Sequence, residues 1–198
     1  KKDFIQSSNV PFSKNFWLAM IGPVLFTLGN SSETFLLLRA LDLGASPVKC
    51  ILLYAFFNAA SSIASYPAGI LSDRHGRWPV LATGWGLFAV SYAGFATLGR
   101  DSSWLIWALF GLTGVSSACT EGAARAMVVD YAPRVRLASA LGLLGFLQGA
   151  GALIASVVAG ILWSHGRPEI AFWLGSGFAV AALVVLPWAP RGSAPASR

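Results

Sequence analysis

The sequence predicts an all-α integral membrane protein, a bundle of six transmembrane helices. Three observations carry this. Apolar residues make up 56% of the 198 and charged residues only 11%, against about 45–50% and about 25% in a soluble domain. The charge deficit weighs more, because a soluble chain of this length needs charge on its surface. The apolar residues also gather into long uncharged runs, each near the roughly 20 residues that a helix needs to cross hydrocarbon. The connectors between runs are short and hold glycine, proline and charge.

The first run extends from Phe16 to Ser32 and continues through Glu33 to Leu38. The second is Cys50 to Ser72 and the third Trp78 to Gly99. The fourth, Ser102 to Thr120, runs on through Glu121 and Arg125 toward Val129. The fifth is Leu137 to Ser164 and the sixth Ile170 to Pro190. Barrel strands would be about half as long and would alternate strictly; these runs do neither. Domain organisation follows: a polar linker segment over 1–15, the bundle over 16–190, and a small, polar tail over 191–198 that reads as disordered. The chain opens on Lys1 and reads as an interior piece of a longer one. Its first residues lack the apolar core of a signal peptide.

Lysine and arginine set the expected orientation. With the N-terminus inside, the inner segments hold Lys1, Lys2, Lys14, Arg74, Arg77, Arg134, Arg136, Arg191 and Arg198. The outer segments hold Lys49, Arg100 and Arg167. Both termini are therefore expected in the cytoplasm. The net charge of +6 is explained by these loops and calls for no nucleic acid. Trp17, Trp78, Trp104, Trp163 and Trp188 fall near run ends, where an aromatic belt places them.

Polar side chains are costly in a membrane and face the bundle interior or water. The first run carries Asn30 and Glu33, the second Asn58, the fourth Glu121 and Arg125 with Asp130 at its end, and the fifth Gln148. These four runs are expected to enclose a polar space, with the third and sixth outside. Glu121 and Arg125, four apart, share a helix face and can pair. Glu33 has no local basic partner. Its role is either a protonated or cross-paired structural group, or a substrate or proton contact. Asn30, Asn58 and Gln148 read first as interhelical hydrogen-bond formers. Arg39 and Asp42 read as a surface pair. Gly145 and Gly149, in a fifth run rich in glycine, permit a close helix approach. Cys50 and Cys119 sit in apolar stretches without metal-ligand spacing. His75 and His165 fall on opposite sides, so no shared metal is expected, and no catalytic set or cofactor motif occurs.

The segment Gly69-Ile70-Leu71-Ser72-Asp73-Arg74-His75-Gly76-Arg77 is the most specific pattern. Asp73 ends the second run, where a helix dipole disfavours an acid, and Arg74 and Arg77 are at hand to compensate. Gly76 lets a very short turn reverse the chain, and Gly69 lets a neighbour approach. This spacing between two membrane helices resembles the signature loop of the major facilitator superfamily. Trp78 departs from it, since many members have a further basic residue there. Gly29-Asn30-Ser31-Ser32-Glu33 with Leu36 to Ala40 resembles that family's seventh helix, and Thr120 to Ala126 through Asp130 and Pro133 its tenth.

The resemblance implies the C-terminal half of a twelve-helix fold. It implies that Asp73 faces the start of the fifth helix near Leu137 and that Arg74 pairs with Asp130. It implies transport of a small solute by alternating access against an N-terminal six-helix bundle of the same parent chain, in the bacterial inner membrane. Proton coupling through Glu33 or Glu121 is open, as is the substrate. The rival readings are a six-helix channel and a non-transporting membrane scaffold. A channel would show a pore loop or a ring of like charge, and neither pattern is visible.

Overall fold

A computed structural model describes residues 11–99 and 104–188. The described chain is helical. Its helices are α1 (Lys14–Gly29), α2 (Thr34–Asp42), α3 (Pro47–His75), α4 (Arg77–Thr97), α5 (Leu105–Tyr131), α6 (Leu137–Ser164) and α7 (Pro168–Val185), with single 3-10 turns at Arg134–Arg136 and Leu186–Trp188. α1 and α2 together make the first span, so the count of six spans holds. The first helix begins at Lys14. The tail over 191–198 lies outside the described residues.

Four helical stretches are long and apolar enough to cross a membrane by length and composition: α3, α4, α6 with its preceding turn, and α7. α5 has 27 residues, about 40 Å at 1.5 Å per residue, but serine, threonine, glycine and Glu121 dilute its apolar content. The first span misses the criterion because it is broken.

That break departs from the continuous first helix expected. Gly29, Asn30, Ser31 and Ser32 are all residues that favour caps and turns over helix interiors. The Asn30 amide donates to the Thr27 carbonyl at 3.1 Å and the Ser31 amide to Gly29 at 3.2 Å. The Ser32 amide donates to the Ser156 hydroxyl of α6 at 3.2 Å, and the Ser32 hydroxyl accepts from the Thr34 amide at 3.3 Å. Backbone groups freed by the break thus find partners, as they must inside a membrane.

α4 is the spine of the bundle, not an outer support. It packs along α5 and α7, and Trp85, Phe88, Tyr92 and Phe95 are all buried. The Phe88 and Tyr92 rings stack at 3.9 Å. Phe26 of α1 meets Phe88 at 4.8 Å, and Phe172 of α7 meets Tyr92 at 5.5 Å. Hydroxyls add cross-links: Ser116 donates to Gly84 O at 2.8 Å and Ser176 to Ala89 O at 2.9 Å. Such bonds contribute about 0.6 kcal/mol each in membranes, so ring packing is the larger stabiliser here.

α3 packs on α5. They touch closely at Gly114, where an added Cβ would lie 2.5 Å from the Phe57 carbonyl oxygen. The approach expected at Gly145 and Gly149 is not made, since both face open space; Gly151 instead lies against Thr27. Gly69 likewise faces open space.

Arg39 is also unlike its expectation. It is 6% exposed and turned inward. Its Nε donates to Phe95 O at 3.1 Å, Nη2 to Leu98 O at 3.3 Å and Nη1 to Glu169 at 3.1 Å. The carbonyls are orphan groups at the C-terminal end of α4, where the helix dipole favours a cation. Asp42 takes no part. One side chain thereby ties α2, the end of α4 and the start of α7. Arg39→Ala should cost about 1–3 kcal/mol, because it leaves buried carbonyls unpaired. Glu169→Gln should cost under about 1 kcal/mol, because that carboxylate is half exposed. Thermal unfolding of the two variants in detergent checks the order; equal losses would contradict it.

Candidate functional site

A cavity of about 380 Å³ lies among α1, α2, α3, α4, α5 and α6. It gathers five of the six expected pathway residues: Asn30, Glu33, Glu121, Arg125 and Gln148. Asn30 and Glu33 reach it because the chain breaks between α1 and α2. Glu121 and Arg125 reach it from one face of α5, and Gln148 from α6. Asn58 is absent from the lining. Its Nδ2 donates to Tyr54 O at 2.8 Å within α3, so it serves its own helix.

The pair expected between Glu121 and Arg125 is not formed. The Glu121 carboxylate instead accepts from the Ser117 hydroxyl at 2.8 Å, one turn away. Among the described residues the ion pairs are those of Arg39 with Glu169 and of Arg77 with Asp73 and Asp130. Glu33 and Tyr54 line a common pocket at the break between α1 and α2. The cavity therefore holds two carboxyl groups and a guanidinium that are not neutralised by one another.

Sequence reasoning missed the cavity's aromatic wall. Phe26, Phe57, Trp85, Phe88 and Tyr92 all line it. Three of these come from α4, which had been expected to stand outside. Ser117 was missed too, although its position four residues before Glu121 is a readable helical neighbour.

The second cluster lies where α3 turns into α4. Gly76 has φ +91°, a conformation that favours glycine, and it alone separates His75 from Arg77. Arg77 donates to the Ser72 hydroxyl at 3.1 Å, to Asp73, and through Nε to Asp130 of α5 at 3.3 Å. The partner expected for Asp130 was Arg74. Arg74 is exposed and makes neither contact. The reason is positional. Arg77 opens α4, which packs along α5 and so carries Arg77 to the end of α5. α3 and α6 are not among the principal packed pairs, and Asp73 spends its carboxylate on Arg77.

Both acids are largely solvent-exposed, at 71% and 47%, so these bridges are worth little individually. A double-mutant cycle of Arg77→Ala with Asp130→Ala should give a coupling of about 0.2–1 kcal/mol. The same cycle with Arg74→Ala should give none. A larger coupling for Arg74 would restore the pairing first expected.

Comparison with known proteins agrees with this architecture. The Major Facilitator Superfamily profile matches residues 16–198. An uncharacterised MFS-type transporter of Methanocaldococcus jannaschii is 34% identical over 184 residues, covering 90% of this chain and 45% of the relative. A second from the same organism is 25% identical over 146 residues, covering 74% and 37%. The multidrug resistance protein MdtL of Shigella flexneri is 27% identical over 158 residues, covering 80% and 40%. The chain spans less than half the length of each of these relatives. With a multi-pass apolar helical bundle, the signature loop and a profile match over nearly all its length, this chain belongs to the major facilitator superfamily.

Proposed function

We propose that the chain is the C-terminal half of a secondary transporter that moves a small solute by alternating access, with coupling to protons. The observation that carries this is the central cavity, which collects Asn30 and Glu33 from the break in the first span, Glu121 and Arg125 from α5, and Gln148 from α6. Polar and ionisable groups converge there although each costs free energy in a membrane. A structural bridge would have joined Glu121 to Arg125, and that bridge is not made.

The partner in this reading is an N-terminal six-helix bundle of the same parent chain, rocking against this one about a site near the midplane. The excess of lysine and arginine in the inner segments supports a cell-membrane protein with both termini on the cytoplasmic side. The Arg77 cluster with Asp73 and Asp130 then stands at the cytoplasmic end and holds α3, α4 and α5 together as a gate. Gly69, Gly76 and Arg74 complete the loop, with Arg74 acting through its charge.

Within the cavity the three charged groups have distinct work. A carboxyl group that is protonated on one side of the membrane and released on the other couples the cycle to the proton gradient. Glu33 and Glu121 are the two that qualify. Arg125, four residues from Glu121, is available to an anionic group of the solute or to Glu121 once it ionises. Competition between those partners links solute to proton. Relatives that carry the name multidrug resistance protein make drugs the first class to screen, with small metabolites second.

Glu33→Gln and Glu121→Gln in the full-length parent, assayed separately across pH, test the coupling. The variant of the proton carrier should lose accumulation and pH dependence while keeping downhill exchange. Retention of pH-dependent uptake by both variants would remove both residues from the role. The 198 residues reconstituted alone as a monomer should show no uptake, because alternating access needs two bundles; uptake by that piece would sink the half-transporter reading.

A further inference from the structure

Glu121, Arg125 and Ser117 line a second cavity as well as the central one. This second space, about 360 Å³, is a crevice between α3 and α5. It runs from Ser61 and Ser65 on α3 to Ser72, Asp73 and Arg77 at the turn into α4. Its α3 wall is one helical stripe at positions 61, 65, 68, 69 and 72, all serine, alanine or glycine. The two helices touch at Gly114 and part beyond it. Added Cβ atoms at Gly69 and Gly122 would meet nothing within 4 Å. These glycines hold space open instead of admitting a neighbour. The crevice is polar and roomy enough for water, which stays only where polar partners exist.

We propose that this crevice is a water-filled route by which the Glu121 carboxyl group exchanges its proton with the Asp73 side of the membrane, separately from the central cavity. The proposal rests on the proton-coupled reading above. Glu121 lies nine residues before Asp130, about 14 Å along α5 at 1.5 Å per residue. A proton leaving the protonated Glu121 passes to the adjacent water, and successive waters hand on one proton each. The last releases it to bulk solvent beyond Asp73 and Arg77. Return runs the same steps in reverse, with no other reactant. The groups facing Glu121 are Arg125 on its own helix, Glu33 at the start of α2, Asp73 at the end of α3 and Arg77 at the start of α4. α1 and α6 present the neutral Asn30 and Gln148. The two cavities thus give one carboxyl group two exposures: solute on one, the proton reservoir on the other.

The test uses the full-length parent in sided membrane vesicles, with native cysteines, Cys50 and Cys119 included, replaced by alanine. Gly122→Cys reports the crevice through its rate of modification by a membrane-impermeant trimethylammonium methanethiosulfonate. Modification should be faster from the Asp73 side, and Gly69→Leu, which adds bulk at the mouth where a Cβ meets nothing within 4 Å, should slow it about tenfold. In the purified protein, hydrogen–deuterium exchange at the Glu121 carboxyl group, read by infrared spectroscopy and assigned through Glu121→Gln, should slow by a similar factor. Ser65→Leu plugs the same crevice one turn deeper and supplies the reading if Gly69→Leu fails to insert. Faster modification from the opposite side, or carboxyl exchange unchanged by a folded plug, would overturn the route. Neither readout needs transport. A working transporter with unchanged exchange loses the route and keeps the transport reading, whereas exchange slowed by the plug in a parent that, unplugged, moves no solute keeps the crevice and loses the transport reading.

Discussion

Hydrocarbon offers no partner to a backbone amide or carbonyl, and this chain is organised around that constraint. Helices satisfy it along their length. Ends and breaks do not, and among the described residues several of them are met by a specific side chain. Arg39 covers the last carbonyls of α4. Ser156 and Ser32 cover amides at the gap between α1 and α2. Ser13 and Ser46 cap α1 and α3. The gap is placed where the chain meets the central cavity, a setting in which irregular backbone is tolerated at depth.

The same constraint explains why α4 became the spine. A helix with only serine, threonine and tyrosine among its polar residues looks dispensable to a polar site, and so reads as outer. Its aromatic rings decide otherwise. Trp85, Phe88 and Tyr92 are too large to leave in a loose contact, and they fill the space between α1, α5 and α7. What they leave unfilled is the cavity, with their edges as its wall.

Much of this was legible in the residues. Six apolar runs gave six spans, and the excess of polar groups in four of them foretold which residues would meet; five of six do. The rest was lost to features that periodicity does not encode. The break at Asn30 to Glu33 was readable in Gly-Asn-Ser-Ser, a helix stop followed by a start, but the apolar run on both sides outweighed it. Arg39 was given to Asp42 because spacing reports only neighbours on one helix; its real partners lie 56 to 130 residues away. α3 and α4 both pack on α5, so the choice of Arg77 over Arg74 for Asp130 depends on which side of the turn meets the end of α5. Three residues of separation in sequence decide it, and only packing shows which way.

Charge placement in the two cavities follows one logic. At the α3–α4 turn, arginine and two carboxylates lie within bonding reach in a solvated setting, where each bridge is weak and several together are needed to hold three helices. At Glu121 and Arg125 the charges line the central cavity and stay apart. A group that must gain and lose a proton cannot also be locked in an ion pair. The Ser117 hydroxyl donates to the Glu121 carboxylate and can equally accept from a protonated acid, so it can stay bonded in either state that the proposed role requires. That arrangement suits the proton carrier proposed above better than it suits a structural bridge.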